Sequence, residues 1–472
     1  MSGPQQRERP IGDLERENER LREESQRLHR EIERLRKQVQ DLEEELRASK
    51  RQAAPFAKGQ RVANPKRPGR KAGQGVFRHR PAPTEQIGDQ EIVEAAVPAA
   101  CPSCGGALTV EAEEWPTTTD LPVRPQPVVT RYRVLVCRCT QCGKRVRGAA
   151  PGLAADQFGA TAHRVGPGVK AAAHALHYGA GVPVRKVPMV LKELTGIALT
   201  QGAMTQDALR RSEAEVGAVY QQLRAGVRQA PVVNTDDTGW RVGGNAAHLM
   251  VFVTARSAVY QIRPHHRNEE VRELIPADYR GVMGTDRGKS YDAKEFANVD
   301  QQKCLGHLQR NITEVVKTKQ GRAREFGLTL KGLLRQSMEL YHNRPHLSPA
   351  DYQLQVQQGD DALTHQLRNR ILKDDDNQRL LNGIGMHHDR GNLLRFLQVE
   401  GVEPTNNRAE RAVRLGVIAR KVSQCSKNQD GAEAYAAFVS VLQTAVRGGA
   451  TSTIGYLRNL FSAPPALSGS SP

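Results

Sequence analysis

Leucine stands at every seventh position from Leu14 through Leu21, Leu28 and Leu35 to Leu42, and the seam positions between them hold Asn18, Ser25, Ile32, Val39 and Leu46. A sustained seven-residue apolar period suits helices that wrap around one another, because 3.5 residues per turn keeps one seam facing a partner. Leucine at one seam position with β-branched Ile32 and Val39 at the other favours two parallel strands, and Asn18 sets their register at some cost in stability. A single charged helix held by pairs four residues apart is the alternative, but it gives no reason for five apolar heptads. Residues 1–48 are therefore expected to form a coiled-coil zipper that joins chains into a homodimer or a higher assembly.

The zipper is followed by a segment of opposite character. From Arg47 through Thr84 there are eleven Lys or Arg and no acid, and Asn64-Pro65-Lys66-Arg67-Pro68-Gly69-Arg70-Lys71 interrupts the charge with Pro and Gly. Such a stretch cannot build a core. Residues 49–95 read as a basic linker whose Lys66, Arg67, Arg70 and Lys71 suit a DNA minor groove, where negative potential concentrates. A plain solvated linker is the alternative. The whole chain of 472 residues carries a formal net charge of +18, which attracts polyanions such as nucleic acid. It has no long apolar run, and its N-terminus is a charged heptad pattern, so neither a membrane partner nor a secretory leader is expected. A cytoplasmic, nucleoid-associated protein is the resulting expectation.

Five of the seven cysteines fall within residues 101–142. Cys101-Pro-Ser-Cys104-Gly and Cys139-Thr-Gln-Cys142-Gly are two Cys-x-x-Cys knuckles 34 residues apart, the spacing that closes a tetrahedral four-thiolate zinc site. Cys137 lacks that spacing and is left out. Residues 96–150 are expected to be a zinc ribbon holding one structural zinc through Cys101, Cys104, Cys139 and Cys142, with redox cysteines as the alternative.

Residues 160–228 read as helical. A helix from Val184 to Leu194, a turn at Thr195-Gly196 and a second helix opening near Thr200 and passing Arg211 have helix-turn-helix proportions, and an ordinary core helix pair is the alternative. Alternating apolar stretches at Pro231–Asp237, Ala247–Thr254, Ala258–Arg263 and Gly281–Asp286, with a helix near Asn268–Leu274, predict a mixed sheet. Helical, charged sequence fills about 303–400, and a helix resumes after Pro404 and runs to about Lys421. Two strands are expected to stop at acids, Asp236 and Asp286, and a third acid, Glu410, stands in the first turns of the last helix. Hard oxygen donors from three segments suit magnesium or manganese, and two such ions roughly 3.5 to 4 Å apart activate one oxygen and stabilise another in phosphodiester chemistry. For Glu410 the alternative is a capping role or a pair with Arg414. Adjacent strand residues point to opposite faces, so Asp236 is preferred over Asp237 as a ligand.

Asp236-Asp237-Thr238-Gly239-Trp240-Arg241-Val242-Gly243-Gly244, Thr285-Asp286, Cys304-Leu-Gly-His307-Leu-Gln-Arg310 and Thr405-Asn406-Asn407-Arg408-Ala409-Glu410-Arg411-Ala412-Val413-Arg414 with Arg420-Lys421 resemble the transposases of insertion sequence 66 type. The order of modules resembles that family over nearly the whole chain; Asp237 replaces its usual Glu, and Leu305 its frequent Trp. The resemblance implies a DDE superfamily enzyme: a multidomain α+β chain with coiled coil, zinc ribbon and helical DNA-binding region. It implies an RNase H-like mixed α/β catalytic core over 229–445, with a helical insertion at about 315–395 and a tail over 446–472. It makes Asp236, Asp286 and Glu410 the catalytic, metal-holding triad. Arg408, Arg411, Arg414 and Lys421 are then candidates for phosphate contacts, with a solvated helix face as the alternative. The expected activity is cutting and joining of DNA at the ends of a mobile element and at a target, with accessory proteins of the same element as further partners. An inactive or domesticated DNA-binding regulator and a metal-dependent nuclease are the competing readings.

Overall fold

A computed structural model describes residues 17, 19–35, 38–39, 98–110, 127–147, 165–368, 370–423 and 425–462. The chain divides into two units, Met1–Val76 and Phe77–Pro472. In the first, residues 19–35 form a helix, α1, whose seam residues Leu21, Leu28, Ile32 and Leu35 are all about half exposed. Leu14, Asn18, Leu42, Leu46 and the basic residues Lys66, Arg67, Arg70 and Lys71 lie outside the described residues.

The second unit begins with a two-stranded antiparallel ribbon, β1 (Val136–Arg138) and β2 (Arg145–Arg147). A helical block follows: α2 (Pro167–His174) with a π-helical extension over Ala175–Gly179, α3 (Val187–Thr195), α4 (Gln201–Glu213) and α5 (Glu215–Gln229). The Thr200 hydroxyl caps α4 by accepting from the Ala203 N–H at 3.1 Å. α2 and α4 are bolted together by Asp207, a nearly buried acid that meets Arg211 at 2.7 Å, His174 at 2.9 Å and Lys170 at 3.2 Å. This block is not a free-standing module: Ala171, Tyr178, Ala208 and Val216 share one hydrophobic core with Trp240 and Phe438 further along the chain.

The centre is a five-stranded sheet in the order β5-β4-β3-β6-β7, made of β3 (Val232–Val242), β4 (Asn245–Val253), β5 (Ala258–Arg263), β6 (Val282–Thr285) and β7 (Gln301–Lys303). β3, β4 and β5 run antiparallel, while β6 and β7 run parallel to β3. β3 turns into β4 through Gly243 and Gly244, both at positive φ (58° and 87°), the backbone that a two-residue hairpin demands. A short helix, α6 (Asn268–Arg272), crosses from β5 towards β6. β4 shows the pleat plainly: Leu249, Val251 and Val253 enter the core shared with the helical block, and Met250 and Phe252 enter a second core with Val271 and Tyr291 on the other face.

After β7 come α7 (Leu305–Lys317), α8 (Gly321–Asn343), α9 (Pro349–Leu367), α10 (Asp375–Asp389) and α11 (Arg395–Gln398), which with Val232 of β3 and Val282 of β6 build an apolar core around Leu308, Leu334 and Ile384. The chain then returns to the sheet as α12 (Asn407–Ser423) and α13 (Gln429–Arg447). The last element, α14 (Thr453–Ser462), lies where a tail was expected; it buries Leu457 and Phe461, with the Arg211 guanidinium 3.7 Å above the Phe461 ring. Among the described residues no helix is long and apolar enough to cross a membrane.

Candidate active site

β3 does not stop at its acids. It continues through Thr238 to Val242, because Trp240 is buried and the pairing with β4 runs unbroken to Val242. The expected rim position survives for another reason: parallel pairing with β6 ends at Asn234, so Asp236 stands two residues beyond that edge, and Asp286 follows directly on the end of β6. Asp236 shares the strand face of Asn234 and Trp240, the side covered by α12, whereas Asp237 shares the opposite face with Val233.

Glu410 comes to the Asp236 side on the first turn of α12, and Asn406 fixes that turn. Its buried amide donates to the Thr235 carbonyl at 2.8 Å and accepts from the Asn234 amide at 3.2 Å, while its backbone N–H donates to the Cys304 sulfur at 3.2 Å. Space for Asn234 depends on Gly284 in the neighbouring strand: a Cβ there would stand 2.3 Å from the Asn234 amide nitrogen. Asp286 is held by a hydrogen bond from the Gly288 N–H at 2.8 Å.

Neighbouring acids bear on Asp236. Burial, and then the charges of Asp286, Asp237 and Glu410, push the Asp236 carboxyl up to about 6, against one hydrogen bond from the Asp237 N–H. Glu410 Oε1 is buried without a hydrogen-bond donor, 3.6 Å from His307 Nδ1 and 3.8 Å from the Arg310 guanidinium; Arg414 is not its partner. A buried carboxylate oxygen without a hydrogen-bond donor is open to a hard divalent cation. Cys304, one turn before His307, is buried; burial raises its thiol, but hydrogen bonds from His307 and Asn406 hold it below the ordinary value.

Asp237 is engaged elsewhere. Its two oxygens meet His248 Nδ1 at 2.8 Å and His266 Nδ1 at 3.1 Å. Burial opposes its charge, yet His266 and then His248 outweigh burial and hold the carboxyl below its usual range. Among the described residues, donor groups of three close enough for one metal ion are Asp237 with His248 and His266, and Cys304 with His307 and Glu410. The triad acids are not gathered that tightly, and neither are the four knuckle cysteines. Each knuckle is formed as a matching turn: Cys101 N–H donates to the Gly106 carbonyl and Cys139 N–H to the Lys144 carbonyl, both at 2.9 Å. Hydrogen bonds from Ser103 and Cys104 lower the Cys101 thiol, and bonds from Cys142 and Gln141 lower that of Cys139. Cys137 stands exposed in β1 opposite Val146.

Of the basic residues on α12, Arg411, Arg414 and Lys421 are exposed, but Arg408 is half-buried and paired with Glu403 at 2.7 Å. Behind Asp286 stands a group the sequence did not single out. Lys303 on β7 is fully buried, paired with Asp292 at 2.9 Å and 3.2 Å from the Thr285 hydroxyl.

A mixed sheet that carries Asp236 and Asp286 at two central strands, with Glu410 on a flanking helix beside exposed arginines, has the make-up of a DNA-processing protein. The model of the Transposase IS66 family matches residues 163–434, more than half of the chain, and the protein belongs to that family. Among solved structures, the HTLV-2 integrase catalytic core domain in complex with magnesium is similar at 13% identity, covering 31% of this chain and 90% of that one, with a TM-score of 0.14. No curated protein matches the chain.

Proposed function

We propose that the chain is a DDE-type DNA transposase that binds the ends of an insertion sequence, cleaves DNA there and transfers the freed strand to a target. The observation that carries this reading is geometric: Asp236 and Asp286 stand just beyond the parallel pairing of β3 with β6, and Glu410 stands on the first turn of α12, which Asn406 ties to Asn234 and Thr235 of β3. The sheet order, three antiparallel strands followed by two parallel ones, supports the RNase H-like core. Asp236, Asp286 and Glu410 would hold two ions of magnesium or manganese, which when bound would supply an activated attacking oxygen and a stabilised leaving oxygen.

The remaining work belongs to the chain itself. Asn406 and Asn234 hold the α12 turn against β3, so that Glu410 stays opposite Asp236. Arg411, Arg414 and Lys421 offer cationic groups to phosphates along the exposed face of α12. Cys101, Cys104, Cys139 and Cys142 would hold a structural zinc, the zipper would join two or more chains, and the basic segment would add sequence-independent DNA affinity.

The test compares Glu410→Gln, Asp236→Asn and Asp286→Asn with the parent on DNA carrying the element's own termini, using Asp361→Asn on the exposed side of α9 as the control. Each triad variant should lose cleavage and joining by several orders of magnitude while gel-shift affinity stays within about two-fold, and the three losses should not add. Parental cleavage by Glu410→Gln would sink the assignment. A parent that binds without cutting would favour the inactive regulator, and cutting without joining a nuclease.

A further inference from the structure

Three donor side chains from three separate segments converge on the sheet face opposite the triad. Asp237 comes from β3, His248 from β4 and His266 from the loop that follows β5. Strand register accounts for the first two: Asp237 lies opposite Met250, so His248, two residues back on β4, shares its face and sits diagonally from it. Both imidazoles turn Nδ1 towards the carboxylate, one to each oxygen, at 2.8 and 3.1 Å, and the imidazole ring centroids are 5.8 Å apart. All three donor atoms lie within 4.8 Å of one another. Donors around a tetrahedral ion with bonds of about 2.0 Å stand about 3.3 Å apart, so only small side-chain movements separate this arrangement from a coordination sphere.

We propose that Asp237, His248 and His266 bind a zinc-class divalent cation at a site separate from the triad. Two imidazoles and one carboxylate are the donor set of borderline ions such as zinc, whereas three carboxylates suit magnesium. The surroundings fit. His266 Nε2 is tied to the Tyr291 hydroxyl at 3.1 Å, the kind of outer hydrogen bond that fixes a ligating imidazole with its other nitrogen free to coordinate. Three protein ligands leave a further coordination position, and His248, 38% exposed, leaves a route from solvent to it. An ion here clamps the β3–β4 hairpin to the loop after β5 and neutralises the acid directly beside Asp236.

The site is tested without DNA or activity, so its failure and that of the transposase reading are separable. The full-length protein and a His248→Ala/His266→Ala variant are loaded with zinc, dialysed and analysed for metal. The variant should hold one zinc fewer per chain, whatever the knuckle cysteines retain, and cobalt loading should show its thiolate charge-transfer bands unchanged. Equal zinc in the two proteins overturns the proposal and leaves Asp237 as a hydrogen-bond partner of the two histidines. Should the double variant misfold, Asp237→Asn repeats the comparison. The unaltered protein gives an independent reading: zinc should protect His248 from diethylpyrocarbonate several-fold, reversed by chelator, and equal modification with and without zinc counts against the site.

Discussion

Asp236 illustrates how one side chain registers the whole site. Its carboxyl titrates near 6 because burial and three neighbouring acids oppose its charge. A carboxyl raised in the folded state adds stability that is complete below the unfolded value near 4 and is lost as pH rises through about 6. A displacement of two units corresponds to at most about 3 kcal/mol, and water reaching this half-buried group reduces it to roughly 1–2 kcal/mol. In chelator, Asp236→Asn is therefore expected to melt a few degrees above the parent at pH 8 and together with it at pH 4. Thermal unfolding at the two pH values checks this, and a variant less stable than the parent at pH 8 would contradict the charge crowding. Asn406 acts differently: it carries no charge, but its two amide bonds to β3 hold the turn that presents Glu410.

Among the elements, α1 is the plainest product of sequence. Its period of seven fixes the helix, and the structure leaves Leu28 57% exposed on one chain, an apolar seam with work left for a partner. Leu28→Pro should abolish self-association, since proline inside a helix costs about 3 kcal/mol and removes a seam residue at once. Light scattering decides; if parent and variant are both monomeric, the heptads describe a solvated helix. The hairpin strands were as legible as the α1 helix, because alternation from Ala247 to Thr254 and from Ala258 to Arg263 leaves few other readings. β7 was not legible. Gln301, Gln302 and Lys303 show no apolar alternation, yet all three are buried, and what makes that tolerable is tertiary: Gln302 bonds to the Leu393 carbonyl and the Phe396 N–H, and Lys303 to Asp292. The end of β3 lies beyond the expected stop at the acids for a similar reason, since the continuation to Val242 rests on Trp240 finding its core. Asp236, Asp286 and Glu410, the acids proposed as the triad, stand in motifs that the sequence displays. Asn234 meeting Asn406 across 172 positions, and His248 and His266 meeting Asp237, depend on pairings that local sequence does not express.

Charge on the whole molecule is unevenly spread. Residues 47–84 carry eleven of the eighteen net positive charges, while the sheet and its helices set basic residues against acids in ion pairs such as Arg263 with Glu273 and Arg408 with Glu403. Attraction to DNA on this reading is therefore concentrated in a short, Pro- and Gly-punctuated segment. Binding driven by phosphate neutralisation releases counterions, so the logarithm of the affinity falls linearly with the logarithm of salt, by about 0.9 for each phosphate contacted on duplex DNA. Replacing Lys66, Arg67, Arg70 and Lys71 together by Ala should weaken binding at low salt by orders of magnitude and reduce that slope by about 3 to 4, with the folded unit and its thermal unfolding unchanged. Replacing Arg411, Arg414 and Lys421 should reduce the slope by up to about 3, and the two effects should add, because the sets lie in separate segments. Fluorescence anisotropy with a labelled duplex, repeated from 50 to 300 mM salt, measures both. A slope unchanged by the first set would make residues 49–95 a solvated linker, and the affinity would then have to come from the exposed face of α12 and the helical block.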